Sequence, residues 1–319
     1  MPIIAGIDEA GYGPLFGPLV ITSTVFNIPS CNENDLWELL KDVVAKEKAG
    51  NRDKIVVTDS KKLYSAATGL HRLEESVLSF MNCIKGDVKS FKDILETFTN
   101  ITFVSLDIYP WYGKKNIAIP LSSRSNSTDK FPNQLKEVFR NSGTSLLDIT
   151  AIPVPVYDFN VEVERIGNKA SLLFNKCGNL LIEIWEKYGT EEPTVYVDKQ
   201  GGRNRYLSLL NQVFGNNSIV VHKEHHSESV YEIIGTNKRM WVSFVMGSET
   251  KFFPNALASM CSKYVREIFI KQFNMFWIEK NPDIKPTAGY YLDAKRFLAQ
   301  IKDIKKELNI RDELMIRIK

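Results

Sequence analysis

Three short apolar runs, each leading to a carboxylate, limit what this 319-residue chain can fold into. Residues 3–7 run into Asp8-Glu9, residues 194–197 into Asp198, and the stretch ending Val245-Met246 leads to Glu249. Such runs are short for buried helices and read as strands covered on both faces. A carboxylate at the end of a covered strand projects into a crevice rather than the core. The expected frame is therefore an α/β mixed sheet flanked by helices, with its site at the strand ends.

The rest of the chain fills that frame. Gly11, Gly13, Pro14, Gly17 and Pro18 punctuate a loop, after which residues 19–28, rich in Val, Ile, Thr and Phe, predict a second strand. Apolar spacing predicts helices over 32–46, 70–83, 91–98, 169–188, 206–214 and 254–278. The last opens on Pro254, where a missing N–H costs little. Extended stretches are expected at 55–58, 152–162 and 218–222, and a hairpin where 230–234 and 240–246 flank Gly235-Thr236-Asn237. Residues 122–129 have no apolar face and read as a mobile surface loop. No internal repeat is visible.

Composition excludes little. Hydrophobic residues at 44% and charged residues at 25% describe an ordinary folded chain, and a net charge of +3 is too mild to identify a nucleic-acid binder. Cys31, Cys83, Cys177 and Cys261 form no C-x-x-C pair, so neither a zinc knuckle nor a disulfide framework is expected and a reducing compartment is the default. Acids arrive too early for a signal peptide, and no apolar run could span a bilayer. A cytoplasmic protein is expected, or a nuclear one in a cell with a nucleus.

Any one acid at a strand end is unremarkable, because strand ends are solvated. The surroundings of Asp8-Glu9 change that. The run from Gly6 through Asp8-Glu9-Ala10-Gly11-Tyr12-Gly13-Pro14 to Val20 closely resembles the opening motif of type-2 ribonucleases H. Asp59-Ser60-Lys61-Lys62-Leu63 resembles that family's second motif, and Val195-Tyr196-Val197-Asp198 the strand carrying its third acid. Gly247-Ser248-Glu249 with the segment 256–267 resembles the fourth acid and its following helix, and Thr287-Ala288-Gly289-Tyr290 a late Gly-Tyr element. Five motifs in order are more specific than any one of them.

The resemblance implies a ribonuclease H-like catalytic core over 1–64 and 163–293 with a central five-stranded mixed sheet. It leaves 65–162 as an inserted elaboration and 294–319 as a C-terminal helical tail. It implies hydrolysis of RNA strands, or embedded ribonucleotides, paired with DNA, with nucleic acid as the partner. Asp8, Glu9, Asp198 and Glu249 would be the catalytic and metal-holding groups for two Mg2+ or Mn2+ ions about 3.5–4 Å apart. Gly11, Tyr12, Gly13, Lys61, Lys62 and Tyr290 would contact substrate. Two departures keep rivals open. Tyr12 stands where the family usually has Arg or Lys, which removes a cation and motivates a nuclease for single-stranded or branched DNA. Glu249 stands where the family has Asp, a carboxylate moved by roughly 1.5 Å, which motivates a catalytically weak hybrid-binding protein.

Other residues have plainer readings. Arg203 and Arg205 follow Gly201-Gly202 as further phosphate candidates on a solvated loop, and Ser259 should pack beneath the acids rather than act as a nucleophile. His222, His225 and His226 invite a zinc site, but strand alternation places His225 opposite the other two. Tyr109, Trp111 and Tyr112 suit a small satellite core. The basic tail, with Lys302, Lys305, Lys306, Arg311, Arg317 and Lys319, either follows a phosphate backbone or faces water.

Overall fold

The computed structural model describes residues 1–29, 35–47, 50, 53–64, 69–113, 115–122 and 130–318. In chain order its elements begin with β1 (Ile3–Ala10), β2 (Leu19–Asn27), α1 (Asp35–Leu39), β3 (Val44–Ala45), β4 (Ile55–Val56) and α2 (Ser60–Leu63). There follow α3 (His71–Lys85), α4 (Phe91–Phe98), α5 (Lys130–Ser142), β5 (Ser145–Val154), α6 (Val156–Ile166), α7 (Lys169–Tyr188) and β6 (Thr194–Asp198). The chain then forms α8 (Leu207–Phe214), β7 (Ser218–Glu224), β8 (Glu228–Ile234), β9 (Arg239–Val245), α9 (Ser248–Lys251), α10 (Phe253–Lys280) and α11 (Tyr291–Glu307).

The main sheet has seven strands in the order β5-β2-β1-β6-β9-β8-β7, two more than the five expected. β1 lies parallel to β6, and β6 parallel to β9; the remaining pairs are antiparallel. The extra width comes from residues whose alternation is weak. β7 is largely exposed, and β5 carries a register shift against β2.

Alternation along β1 assigns its two faces. Ile3, Ala5 and Ile7 pack in one core with α7 and α8, while Ile4 packs in the other with α10. Both faces are therefore covered, as the unbroken apolar run requires. α10 is buried around nearly its whole circumference over much of its length, because the sheet lies on one side and α3, α4 and α11 crowd the other. Tyr109, Trp111 and Tyr112 belong to this larger core, with Trp111 5.1 Å from Phe273 and Tyr112 4.9 Å from Phe269.

Four expectations change. The helix expected over 32–46 is only five residues long among the described ones, and Val44 and Ala45 form β3 of the small β3–β4 pair. The stretch 152–162 is extended only to Val154, after which Pro155 caps α6. The 65–162 elaboration supplies β5, hydrogen-bonded along β2, so the core sheet does not stop at residue 64. The tail begins earlier, at Tyr291, and its stripe of Ala294, Phe297 and Ile301 is buried in the core. In the polar tract 122–129, the Ser122 amide donates to the buried Glu74 carboxylate at 2.8 Å; residues 123–129 lie outside the described residues. So do Cys31 and Lys319. Cys83, Cys177 and Cys261 are free thiols. No helix among the described residues is long and apolar enough to cross a membrane.

Candidate active site

The site forms where β1 and β6 part. Their parallel register ends at Ile7 and Val197, and the next residues are Asp8 and Asp198. The first turn of α10 is nailed across this point. Asn255 Nδ2 donates to the Ile7 carbonyl at 3.1 Å and the Tyr196 carbonyl at 3.0 Å, tying both strands to the helix. Thr24 Oγ1 donates to the Pro254 carbonyl at 2.8 Å. Gly6 makes this approach possible, since a Cβ there would lie 2.2 Å from the Asn255 nitrogen. Two turns on, Ser262 Oγ donates to the Asp8 carbonyl at 3.0 Å.

These contacts bring the four predicted acids together from three separate segments. Burial holds the Asp8 carboxyl well above the usual range, and the charges of Glu9, Asp198 and Glu249 push it further. Burial also raises Glu9 to about 7, again with Asp198 and Glu249 adding to the effect. Asp198 is raised by burial, against opposing hydrogen bonds from Ser248, whose amide and hydroxyl each donate to Oδ1 at 3.1 Å. Glu249 is raised by burial and by Asp198; it sits on α9, entered through Gly247 at φ 65°. Its Oε2 is buried with no hydrogen-bond partner.

The second motif faces the same acids. The Asp59 carboxylate caps α2 by accepting from the Lys61 amide at 2.9 Å. The exposed Lys61 ammonium stabilises the charged forms of Glu9, Asp198 and Glu249. Lys62 is exposed beside it. Ser60 and Ser259 hydroxyls meet at 3.3 Å, which ties α2 to α10 and gives Ser259 a packing role.

The glycine loop is built from below. Gly11 takes φ 84°, and a Cβ on it would meet Arg266 at 2.7 Å. Gly13 is exposed, with nothing within 4 Å of where a Cβ would stand. Tyr12 between them is half-buried. Burial raises its hydroxyl pKa, Glu9 adds to the rise and Arg203 opposes it, so the ring stands beside the acids. Two buried guanidinium groups hold the loop's shape. Arg317 Nε donates to the Gly17 carbonyl at 2.9 Å and Nη1 donates to that of Gly11, while Arg266 Nη2 donates to the Phe16 carbonyl at 3.3 Å. Tyr290 is 54% exposed, with the Arg266 guanidinium 5.9 Å from its ring. The Gly289 carbonyl accepts from the Leu15 amide at 2.8 Å, which joins this late element to the loop.

The histidines do not assemble a site. His222 Nε2 pairs with Glu232 at 2.8 Å, and the backbone carbonyls of His225 and His226 accept from the buried Lys199 ammonium. Arg205 is exposed, whereas Arg203 is half-buried with Nη1 lacking a partner. Asn255, Arg266 and Arg317 were not singled out as site-building residues by sequence. Asn255 alone had a local signal, a polar side chain directly after the helix-opening Pro254.

Hard oxygen donors drawn from strand ends suit Mg2+ or Mn2+. The buried orphan Oε2 of Glu249 and the mutual repulsion of the four acids are what a divalent cation would relieve. Among the described residues, no three such side chains already close into a metal-holding group.

No family model matches the chain. Over 153 residues it is 27% identical to a ribonuclease HII of Methanococcus maripaludis, covering 46% of this chain and 55% of that relative. Over 83 residues it is 35% identical to a ribonuclease HII of Clostridium tetani, covering 25% of this chain and 30% of the relative. The chain therefore spans about half the length, or less, of the curated relatives it matches. Among solved structures, Bst-RNase HIII in complex with Mn2+ matches with a TM-score of 0.50 at 12% identity, covering 99% of this chain and 66% of that one. At that identity the likeness is one of fold.

Proposed function

This chain is a divergent member of the type-2 ribonuclease H family, and from that premise we propose that it is a divalent-metal-dependent endonuclease cutting RNA paired with DNA, or ribonucleotides embedded in DNA. The observation that carries the reading is the meeting of Asp8, Glu9, Asp198 and Glu249, each within the others' field, beneath a backbone loop with an open Gly13. Mg2+ or Mn2+ bound there would supply Lewis-acid stabilisation of a reacting phosphodiester and activation of water.

The chain's own residues do the rest. Asp8 and Asp198, fixed by backbone and serine hydrogen bonds, hold one side of the site rigid. Glu249, with Oε2 unpaired, completes it from α9. Gly11 and Gly13 admit a ribose close to the backbone, and the 2′-hydroxyl is the group that separates RNA from DNA there. Lys61 and Lys62 lie exposed on the side where phosphates would pass, and Tyr290 offers a face for a sugar or base. A cytoplasmic setting, or a nuclear one in a nucleated cell, goes with such substrates.

A second reading, cleavage of single-stranded or branched DNA, is motivated by Tyr12 at the loop centre. One experiment separates these from a non-cutting hybrid binder. The protein is incubated in Mg2+ or Mn2+ with an RNA–DNA hybrid, a DNA duplex holding one ribonucleotide, and pure DNA. Hybrid cutting, lost at least a hundredfold in Asp8→Asn, is expected; outer-shell changes typically cost only 10–100-fold. Cutting of pure DNA alone supports the second reading, and tight hybrid binding without cutting rejects both.

A further inference from the structure

The loop centre lacks a cation of its own, yet one is carried to it. The ammonium of Lys169, the first residue of α7, sits 4.9 Å from the centroid of the Tyr12 ring. An aromatic face is a favourable seat for an ammonium and holds it in place without neutralising it. Arg203, whose guanidinium lies 5.8 Å from the Tyr206 ring, also acts on the Tyr12 hydroxyl, and its own Nη1 is buried without a partner. Among the described residues neither Lys169 nor Arg203 forms an ion pair, whereas Lys176 pairs with Glu162 and Arg205 with Glu224. The first turn of α7 carries no acid, and Asn168 accepts from the Ser171 amide there at 2.7 Å. A cation at that end of a helix is opposed by the helix dipole, so local helix stability does not explain Lys169. Lys169 sits over the Tyr12 ring, Arg203 acts on its hydroxyl, and the same ring lies in the field of Glu9. Neither cation has an ion-pair partner among the described residues.

We propose that Lys169, seated on Tyr12, and Arg203 hold a backbone phosphate of the nucleic-acid substrate next to the scissile one. They deliver from α7 and the loop after β6 the positive charge that Gly11-Tyr12-Gly13 itself lacks. The inference rests on the nuclease reading above and assigns Tyr12 a different part in it, as the platform for a cation rather than the loss of one.

The test measures binding of a short RNA–DNA hybrid in EDTA over a range of salt, and cleavage of the same hybrid in Mg2+. Each lost phosphate contact should lower the slope of log Kd against log salt by about 1 and weaken binding evenly across sequences. Lys169→Ala with Arg203→Ala removes the one phosphate contact and should lower the slope by about 1, and Lys169→Ala alone by part of that. KM should rise while kcat at saturating hybrid stays put. Lys169→Arg should keep the slope, and Tyr12→Arg added to Lys169→Ala should restore it by returning a cation to the loop. Lys169→Gln, which keeps most of the stem, gives the same reading if the alanine variant folds poorly. A wild type that binds and cuts hybrid while the Lys169 variants keep its salt slope overturns this inference alone. A wild type that neither binds nor cuts any duplex overturns the nuclease reading beneath it.

Discussion

The acid cluster has two unlike halves. Asp8 and Asp198 end neighbouring parallel strands, and a single helix start pins both strands through Asn255. Asp198 also takes two hydrogen bonds from Ser248, and Asp8 accepts from the Glu9 amide at 2.7 Å. Glu249 instead rides on a four-residue helix entered through a left-handed glycine, and one of its buried oxygens has no partner. The strand half is fixed by the sheet; on the other side α9 is tied to Asp198 through Ser248, but the end of the Glu249 side chain is held by no hydrogen bond at Oε2. A carboxylate whose end has no fixed partner has room to place a longer side chain, as Glu249 does here.

The largest effect should come from loosening the rigid half. Gly6→Ala forces a Cβ to within 2.2 Å of the Asn255 nitrogen, among backbone atoms that cannot give way. Overpacking typically costs about 1–3 kcal/mol and occasionally more, and with rigid backbone on the far side the upper end is expected here, with cleavage falling alongside. Denaturant unfolding would check this, and a variant as stable as the wild type would show that α10 does not clamp the strands. A smaller, more pointed contrast exchanges lengths between the halves. Asp198→Glu should lower kcat by at least tenfold, as expected where a metal site's support is disturbed, while Glu249→Asp should change it by less than tenfold. Equal losses measured on one hybrid would erase the distinction.

The smallest effect is in pH dependence without metal. Glu9 is raised from an ordinary value near 4.5 to about 7, so the folded state keeps its proton longer than the unfolded one. Its contribution is favourable below about 4.5 and is lost as pH rises through about 7. In EDTA, Glu9→Gln should gain melting temperature relative to wild type between pH 5 and 8, and Mg2+ should shrink that gain by stabilising the wild type. A pH-independent difference would mean that neither burial nor the neighbouring carboxylates raise the Glu9 carboxyl.

Much of this was legible in the sequence because it is written in short strings. The runs ending at Asp8-Glu9 and Asp198 declare both strand and site, and the spacing of 254–278 declares the helix beneath them. The clamp was not legible, because Asn255 acts across 248 residues on Ile7. Lys169 was equally hidden: it sits at the start of an amphipathic helix, and only the fold places Tyr12 under its ammonium. The count of five came from the resemblance: 218–222 and the end of β5 already read as extended, while residues 145–151, which open β5 and carry its register shift, did not.

Arg317 reaches across 300 residues to hold the Gly17 carbonyl, and it grips Gly11 as well. A ribosome that has passed Glu249 has already made all four carboxylates, but not the guanidinium that sets the loop over them. Chains stopped before Arg317 would thus carry the four acids beside a loop that this guanidinium does not yet hold in shape.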